Sequence, residues 1–379
     1  MTSDLPLTDV PPNDGPRRFA NVYRVLETAI STRAFPGCAF GVLCGEEVVL
    51  HDALGRFTYG DDAAAVTPQT IFDVASLTKV AATTAAAMLL KQRGQLDLET
   101  PVAELLPGFV VGRPPGTWAR HVKLRHLLAH NSGLPGYVEF FLNRPTPSEL
   151  FRACLDLPIE APPGERAEYS DPGFILLGKA LEMIMHQPLP AWARREIFHP
   201  LGMRATGFNP PAAVASLIPP TEEDTTFRKR IVQGEVQDEN AWILNRAAGH
   251  AGLFSNVPDL LRFAGEILRA GRHVPGSHTP EPELFEAATI DLFSQRQGPE
   301  GSSRGLGWDT PSENSSSGRH FSLRSIGHLG YSGCSLWIDL SADICIVLLT
   351  NRTWPDRKNQ AIREVRPVFH DAVREGLER

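Results

Sequence analysis

Ile344-Cys345-Ile346-Val347-Leu348-Leu349-Thr350 is an unbroken apolar run of strand length close to the C-terminal end of the chain. A strand that is apolar at every position needs cover on both faces, so the run predicts a central strand. Upstream, Ser335 to Leu340 alternates, with Leu336, Ile338 and Leu340 on one face. Matching pieces stand at the other end of the chain. Cys38 to Cys44 and Glu47 to His51 are two short β-like runs joined around Gly45-Glu46, which predicts a hairpin. Helices flank both ends. Phe19, Val22, Tyr23, Leu26 and Ile30 fall at helical spacing within Arg17 to Arg33, and Pro36-Gly37 stops the pattern. Ile362, Val365 and Phe369 mark a second helix from about Lys358, which Pro367 is expected to kink or restart. The pattern predicts an α+β fold: one antiparallel sheet built from both termini and flanked by helices, with a large helical insertion between its halves.

The middle of the chain fits that insertion. Ser76 to Arg93 reads as a long Ala-rich helix ending at Gly94. Leu124 to Ala129, Pro172 to His186, Pro190 to Phe198 and Asp259 to Ala270 follow, the last closed by Gly271. Gly271 to Pro282 and Gln297 to Arg319 read as loops from their Gly, Ser and Pro content. The expected division is a flexible polar tail over 1–16, a sheet domain from 17–70 and 300–379, and a mainly helical domain over 71–299. The active site is expected at their junction.

The chemistry begins at Ile71-Phe72-Asp73-Val74-Ala75-Ser76-Leu77-Thr78-Lys79. If a helix starts near Ala75, Ser76 and Lys79 share one face. A serine hydroxyl needs a base to become a nucleophile, and a lysine is a base only when burial lowers its pKa. The Ala-rich helix would supply that burial, and its N-terminus free N–H groups for an oxyanion. A second candidate is Glu168-Tyr169-Ser170-Asp171-Pro172-Gly173. Tyr169 can relay protons beside a lysine. Asp171-Pro172 also reads as an N-cap and first helical position, a structural role compatible with a chemical one. The third is His328-Leu329-Gly330-Tyr331-Ser332-Gly333 on the way into the Ser335 strand. Its glycines either allow a ligand close to the backbone or mark only a turn, and His328 is a candidate for binding a substrate carboxylate.

Composition excludes several classes. The 379 residues are 42% hydrophobic with a formal net charge of −7, which argues against a nucleic-acid partner. No stretch reaches the roughly 18 apolar residues of a spanning helix. Met1 to Pro16 lacks a basic-then-apolar leader pattern, so a cytoplasmic location is expected. Five dispersed cysteines without CxxC spacing predict free thiols and neither a disulfide framework nor a zinc site. His126 and His130 have no accompanying acidic metal motif and are expected to pack at a helix end, so no metal and no cofactor is implied. Gly301-Ser302-Ser303-Arg304-Gly305 matches a nucleophile-elbow pattern, but its loop context makes it a coincidence.

Ser76-x-x-Lys79, Tyr169-Ser170-Asp171 and His328-Leu329-Gly330 resemble, in order and wide spacing, the three motifs of penicillin-recognising serine hydrolases. These are the class C β-lactamases, the D-alanyl-D-alanine peptidases of that branch, and related esterases. His126 to Leu134, Pro200-Leu201-Gly202-Met203 and Gly249 to Ser255 are similar to further segments of that family, so the resemblance runs from about residue 19 to 370. It implies a β-lactamase/transpeptidase-like fold with Ser76 as acylated nucleophile, Lys79 as base and Tyr169 as proton relay. It places an oxyanion between the N–H groups of Ser76 and Tyr331, with His328, Gly330 and Asp171 at the substrate. Asp171 departs from the usual Asn. A carboxylate only accepts hydrogen bonds; it would hold Lys79 charged and repel a β-lactam carboxylate. The expected activity is therefore that of a carboxylesterase on small acyl esters. A β-lactamase or D-alanyl-D-alanine carboxypeptidase, acting on an amide, is the alternative, and a silent binding or sensor protein on the same fold is the reading from another class.

Overall fold

The computed structural model describes residues 18–272 and 282–378. The tail read over 1–16 and most of the loop read over Gly271 to Pro282 lie outside them. In chain order, α1 (Ala20–Ser31) leads into the hairpin β1 (Gly37–Cys44) and β2 (Glu47–Gly55). The three strands of a second, small sheet follow at intervals: β3 (Phe72–Asp73), β4 (Gly207–Phe208) and β5 (Leu253–Ser255). Between them lie α2 (Ala85–Gln92), α3 (Leu124–Leu128) and α4 (Asp171–Met185), and after them α5 (Val257–Arg272). The chain ends with β6 (Ser325–Leu329), β7 (Ser335–Asp339), β8 (Ile344–Thr350) and α6 (Ile362–Leu377).

The main sheet has the order β2-β1-β8-β7-β6 and is antiparallel throughout. The apolar run Ile344–Thr350 is its centre, paired with β1 through Phe40↔Leu348 and Val42↔Ile346 and with β7 through Ile346↔Trp337. The period of two sorts the side chains onto two faces. Phe40, Val42, Trp337, Ile346 and Leu348 pack with Val22 and Leu26 of α1 and Phe369 and Val373 of α6. Ala39, Leu43, Leu336, Ile338, Val347 and Leu349 join the other core, where α5 lies across the sheet. Both terminal helices thus cover one face, and a helix from the middle of the chain covers the other.

That docking is tight at Gly41. A Cβ there would stand 2.5 Å from Val257 Cγ1 and 2.9 Å from Leu261 Cδ1. Gly41→Ala is therefore expected to push α5 off the sheet and to cost about 1–3 kcal/mol, as overpacking does. Urea unfolding checks this: the midpoint should fall while the slope stays unchanged. An unchanged midpoint would mean that α5 gives way freely.

Four expectations need correction. His328 does not merely approach the Ser335 strand. It sits on β6, a strand of its own that pairs with β7 through His328↔Leu336. Ser325 to His328 are all buried, so β6 carries no alternation to betray it. Pro367 does not restart the last helix: α6 runs from Ile362 to Leu377 with Pro367 inside it. Gly271 does not end α5, which continues to Arg272. The Ala-rich segment is buried as expected but is not a plain α-helix, since Lys79–Thr84 forms a π-turn ahead of α2. Thr83 Oγ1 donates to Gly249 O there at 2.6 Å, and π-turns of this kind gather at functional sites.

Candidate active site

The residues before Ser76 are held from two sides. β3 pairs with β5, and Val74 N–H donates to Leu253 O at 3.1 Å. The buried Asp73 carboxylate accepts from Ala75 N–H at 2.8 Å and from Gln237 N–H at 2.7 Å. Burial pushes its pKa up to about 6 against the pull of those two N–H groups. The clamp helps to hold Ala75 at φ +47°, a left-handed conformation that a non-glycine residue seldom adopts. It turns the chain into the helix at Ser76. Strain of this kind, held by its surroundings, is a mark of functional sites.

Lys79 is 0% exposed and donates to three acceptors: Ser76 Oγ at 3.0 Å, Asp171 Oδ1 at 2.6 Å and His250 O at 3.0 Å. An ammonium has three N–H bonds, so all are spent. Burial works to lower the Lys79 pKa, but the Asp171 carboxylate and the Tyr169 phenol reverse that and leave it raised. In the resting site Lys79 is a cation. The sequence's expectation that burial would free it as a base is not met in this state, for the reason that Asp171 itself suggested.

Asp171 comes to Lys79 because it is not the cap of α4. Ser170 takes that role: its Oγ accepts from Gly173 N–H at 3.0 Å and donates to Pro135 O at 2.7 Å. Asp171 is one position further in, and its side chain is free to pair. Tyr169 is wedged between rings, 4.6 Å from His130 and 5.8 Å from His328 between centroids, with Lys79 Nζ 4.9 Å from its own. Burial raises its pKa, Lys79 lowers it, Asp171 raises it again, and the phenol stays protonated. His130 Nδ1 accepts from Ser170 N–H at 2.9 Å, and His126 Nδ1 accepts from Lys123 N–H at 3.1 Å at the start of α3. Both histidines thus serve local packing and capping.

His328 is neutral. Its Nδ1 lies 2.8 Å from Leu329 O; a carbonyl only accepts, so Nδ1 carries the proton and Nε2 has a free lone pair. Burial, then the Lys79 and Arg304 charges, hold its pKa well below the usual value. Nε2 has no partner among the described residues. A carboxylate would meet a lone pair there, so the neutral, buried Nε2 does not supply the donor that the expected carboxylate-binding role of His328 requires.

Gly330 brings the last part of the site into place. A Cβ on it would stand 2.5 Å from Val74 O, and Ser332 Oγ donates to Asp73 O at 2.7 Å, so this turn is seated on the strand that carries the nucleophile. Neither Ser76 N–H nor Tyr331 N–H has an acceptor among the described residues. The groups line a cleft of about 930 Å³, which is the size of a small-molecule site. The cleft lining also includes Arg352, Arg363 and Arg366, with Glu139, Asp238, Glu239 and Asp309. Arg352 and Arg366 bond backbone carbonyls, while Arg357 is tied to Glu222 and Glu239. Ser303 of the elbow-like motif donates to Asp309 Oδ1 at 2.6 Å in irregular chain, with no elbow around it.

Ser76, Lys79, Tyr169, Asp171, His328, Gly330 and Tyr331 all meet at this cleft. Missed by sequence reading were Asp73, the His250 carbonyl and the arginines of the cleft lining. Asp73 stood within the quoted motif, but a lone Asp carries no signal of its partners. The five cysteines are free. Among the described residues no helix is long and apolar enough to cross a membrane.

The chain is 28% identical to an N-acetylmuramyl-L-alanine amidase of Bacillus subtilis (strain 168), over 89% of this chain and 81% of that one. It is 29% identical to a Salmonella typhi protein named as a D-alanyl-D-alanine carboxypeptidase, over 84% of this chain and 79% of its relative. Among solved structures, EstCE1, a hydrolase with promiscuous acyltransferase activity, superposes with a TM-score of 0.74 at 24% identity, covering 94% of this chain and 98% of its own. The family described as Beta-lactamase matches residues 22–367. A match over that much of the chain, on a fold of the same kind, assigns it: this protein belongs to the beta-lactamase family of serine hydrolases.

Proposed function

We propose that the protein hydrolyses a small ester or amide through an acyl-enzyme on Ser76, and that the preferred substrate carries a carboxylate. The observation that carries the first part is the cluster at the cleft floor, where Ser76 Oγ is 3.0 Å from the buried Lys79 Nζ and the Tyr169 ring lies over that ammonium. Since Lys79 and Tyr169 both hold their protons at rest, the pair must first give up one. The base so formed takes the Ser76 proton as Oγ attacks the carbonyl. The developing oxyanion is met by the N–H groups of Ser76 and Tyr331. Tyr169 hands a proton to the leaving group, and water repeats the sequence to release the acid.

Two grounds favour a carboxylate-bearing substrate. Asp171 is neutralised by Lys79 at 2.6 Å, so it does not repel an anion as an unpaired carboxylate would. The cleft is lined by Arg352, Arg363 and Arg366, of which Arg363 is exposed. The relatives named as amidase and carboxypeptidase fit this reading, since a carboxypeptidase takes a chain that ends in a carboxylate. A neutral small acyl ester is the second reading. It is favoured by the resting charge on Lys79, because an ester carbonyl yields to a less activated nucleophile.

A substrate panel separates them: a D-alanyl-D-alanine-terminated peptide as free acid and as C-terminal amide, a short-chain nitrophenyl ester, and a chromogenic cephalosporin. The free acid is expected to exceed its amide in kcat/KM by roughly tenfold or more, the worth of a charge-assisted hydrogen bond. Nitrophenyl ester turnover is expected to exceed that of the cephalosporin. Equal rates on acid and amide would remove the carboxylate from the proposal and leave the ester reading. A cephalosporin turned over fastest of all would replace both by a β-lactamase.

A further inference from the structure

Arg366 is a cation placed where charge is expensive. It is 6% exposed, the charges of Arg352 and Arg363 work against its own, and among the described residues none of its hydrogen bonds goes to a carboxylate. Burial pushes its pKa down to about 10, which still leaves it charged at neutral pH. Its donors converge on one turn: Nη2 on Gly330 O at 2.6 Å and Cys334 O at 2.9 Å, and Nε on Gly333 O at 3.2 Å.

The shortest of these bonds has the most consequence. Gly330 C=O and Tyr331 N–H belong to the same peptide unit. In a planar trans peptide the two bonds point in opposite directions. With the carbonyl fixed on the guanidinium side, the Tyr331 N–H is turned the other way, and it has no acceptor among the described residues. A peptide whose carbonyl accepts from a cation is polarised, and its own N–H becomes a stronger donor. Arg352 holds the next carbonyl likewise, its Nε donating to Tyr331 O at 2.7 Å.

We propose that Arg366 is a positioning residue for the oxyanion site: through the Gly330–Tyr331 peptide it aims the Tyr331 N–H and strengthens it as a donor. The proposal rests on the reading of Ser76 and Tyr331 N–H groups as oxyanion donors of an acyl-transfer reaction. It explains why a buried guanidinium without a counter-ion stands behind this turn. The transition state, where the oxyanion develops, gains from it more than the bound substrate does.

The test uses a neutral nitrophenyl ester and its thionoester, in which C=S replaces C=O, so that no substrate carboxylate can meet the arginines. Sulfur is a weak acceptor, and the oxo-to-thiono ratio of kcat/KM, each divided by its uncatalysed rate, reads the oxyanion donors. The wild type is expected to favour the oxo ester. In Arg366→Met the oxo kcat should fall about 10–100-fold, less than the loss of a whole oxyanion donor, with KM little changed. The thiono rate should fall much less, so the ratio collapses, and Arg366→Lys should lie between. Because both rates come from one preparation, the ratio does not depend on the fraction folded. Parallel losses with an unchanged ratio would overturn the proposal and leave Arg366 a structural brace, as would no loss at all. If the wild type shows no preference for the oxo ester, the oxyanion reading itself has failed.

Discussion

Ser76→Ala is expected to leave a folded protein with turnover reduced by about 10⁴–10⁶-fold, the scale seen when the nucleophile of a serine hydrolase is removed. Folding should be little disturbed. Lys79 loses one acceptor of three and keeps Asp171 at 2.6 Å and His250 O at 3.0 Å. The turn is held by Asp73 and by the pairing of β3 with β5, not by the serine side chain. Intact mass after treatment with a fluorophosphonate should show one adduct on the wild type and none on the variant. An adduct that persists in Ser76→Ala would place the nucleophile elsewhere and end the Ser76 assignment.

The second large effect concerns Lys79 and Asp171, where activity and stability should part company. Lys79→Met removes an acid–base group, which is worth about 10²–10⁴-fold in rate. It also strands Asp171, whose side chain is 16% exposed and whose partner was wholly buried. Breaking such a pair costs about 3 kcal/mol, the lower end of the range because water still reaches the carboxylate. Adding Asp171→Asn to Lys79→Met should recover most of that stability and none of the activity. Asp171→Asn alone should act in the opposite sense on the pH profile. The carboxylate raises the pKa of Lys79 and of Tyr169, so its removal lowers both. Whichever of the pair carries the lost proton, the base form is then reached at lower pH. The rising limb of kcat/KM against pH should move down, giving up to about tenfold more activity on that limb for each unit moved. A limb that stays in place, with activity merely reduced, would show that the carboxylate is needed in the reaction. Thermal melts and pH-rate profiles of the three variants decide between these outcomes.

Much of this protein was legible from residue order. The run Ile344–Thr350 demanded cover on both faces and partner strands, and one partner lay just upstream, the other near the N-terminal end of the chain. Ser76, Lys79 and Tyr169 were singled out by residue type, with a local spacing for the first two, and the resemblance of three motifs gave them their expected roles. The sequence also carried the warning in Asp171. What it lacked was anything set by contacts between distant segments. β6 is buried along most of its length, so its pattern has no period to read. Arg366 carried no mark in the sequence that set it apart from the other arginines of its helix. Asp73 looked like any aspartate before a helix.

Apolar periodicity and turn residues predicted most of the elements, because those depend on residue type within a turn or two; the nucleophile and the class of chemistry were expected from the resemblance of three motifs. Charge state and donor direction were decided only by tertiary structure. The same Lys79 would be a neutral base in an apolar pocket, and it is a cation here because a residue 92 positions away lies 2.6 Å from it. The Tyr331 N–H points where it does because a helix formed later in the chain holds the carbonyl of its peptide. Electrostatic energy depends on distance and on the dielectric between the groups, and neither is a property of sequence order.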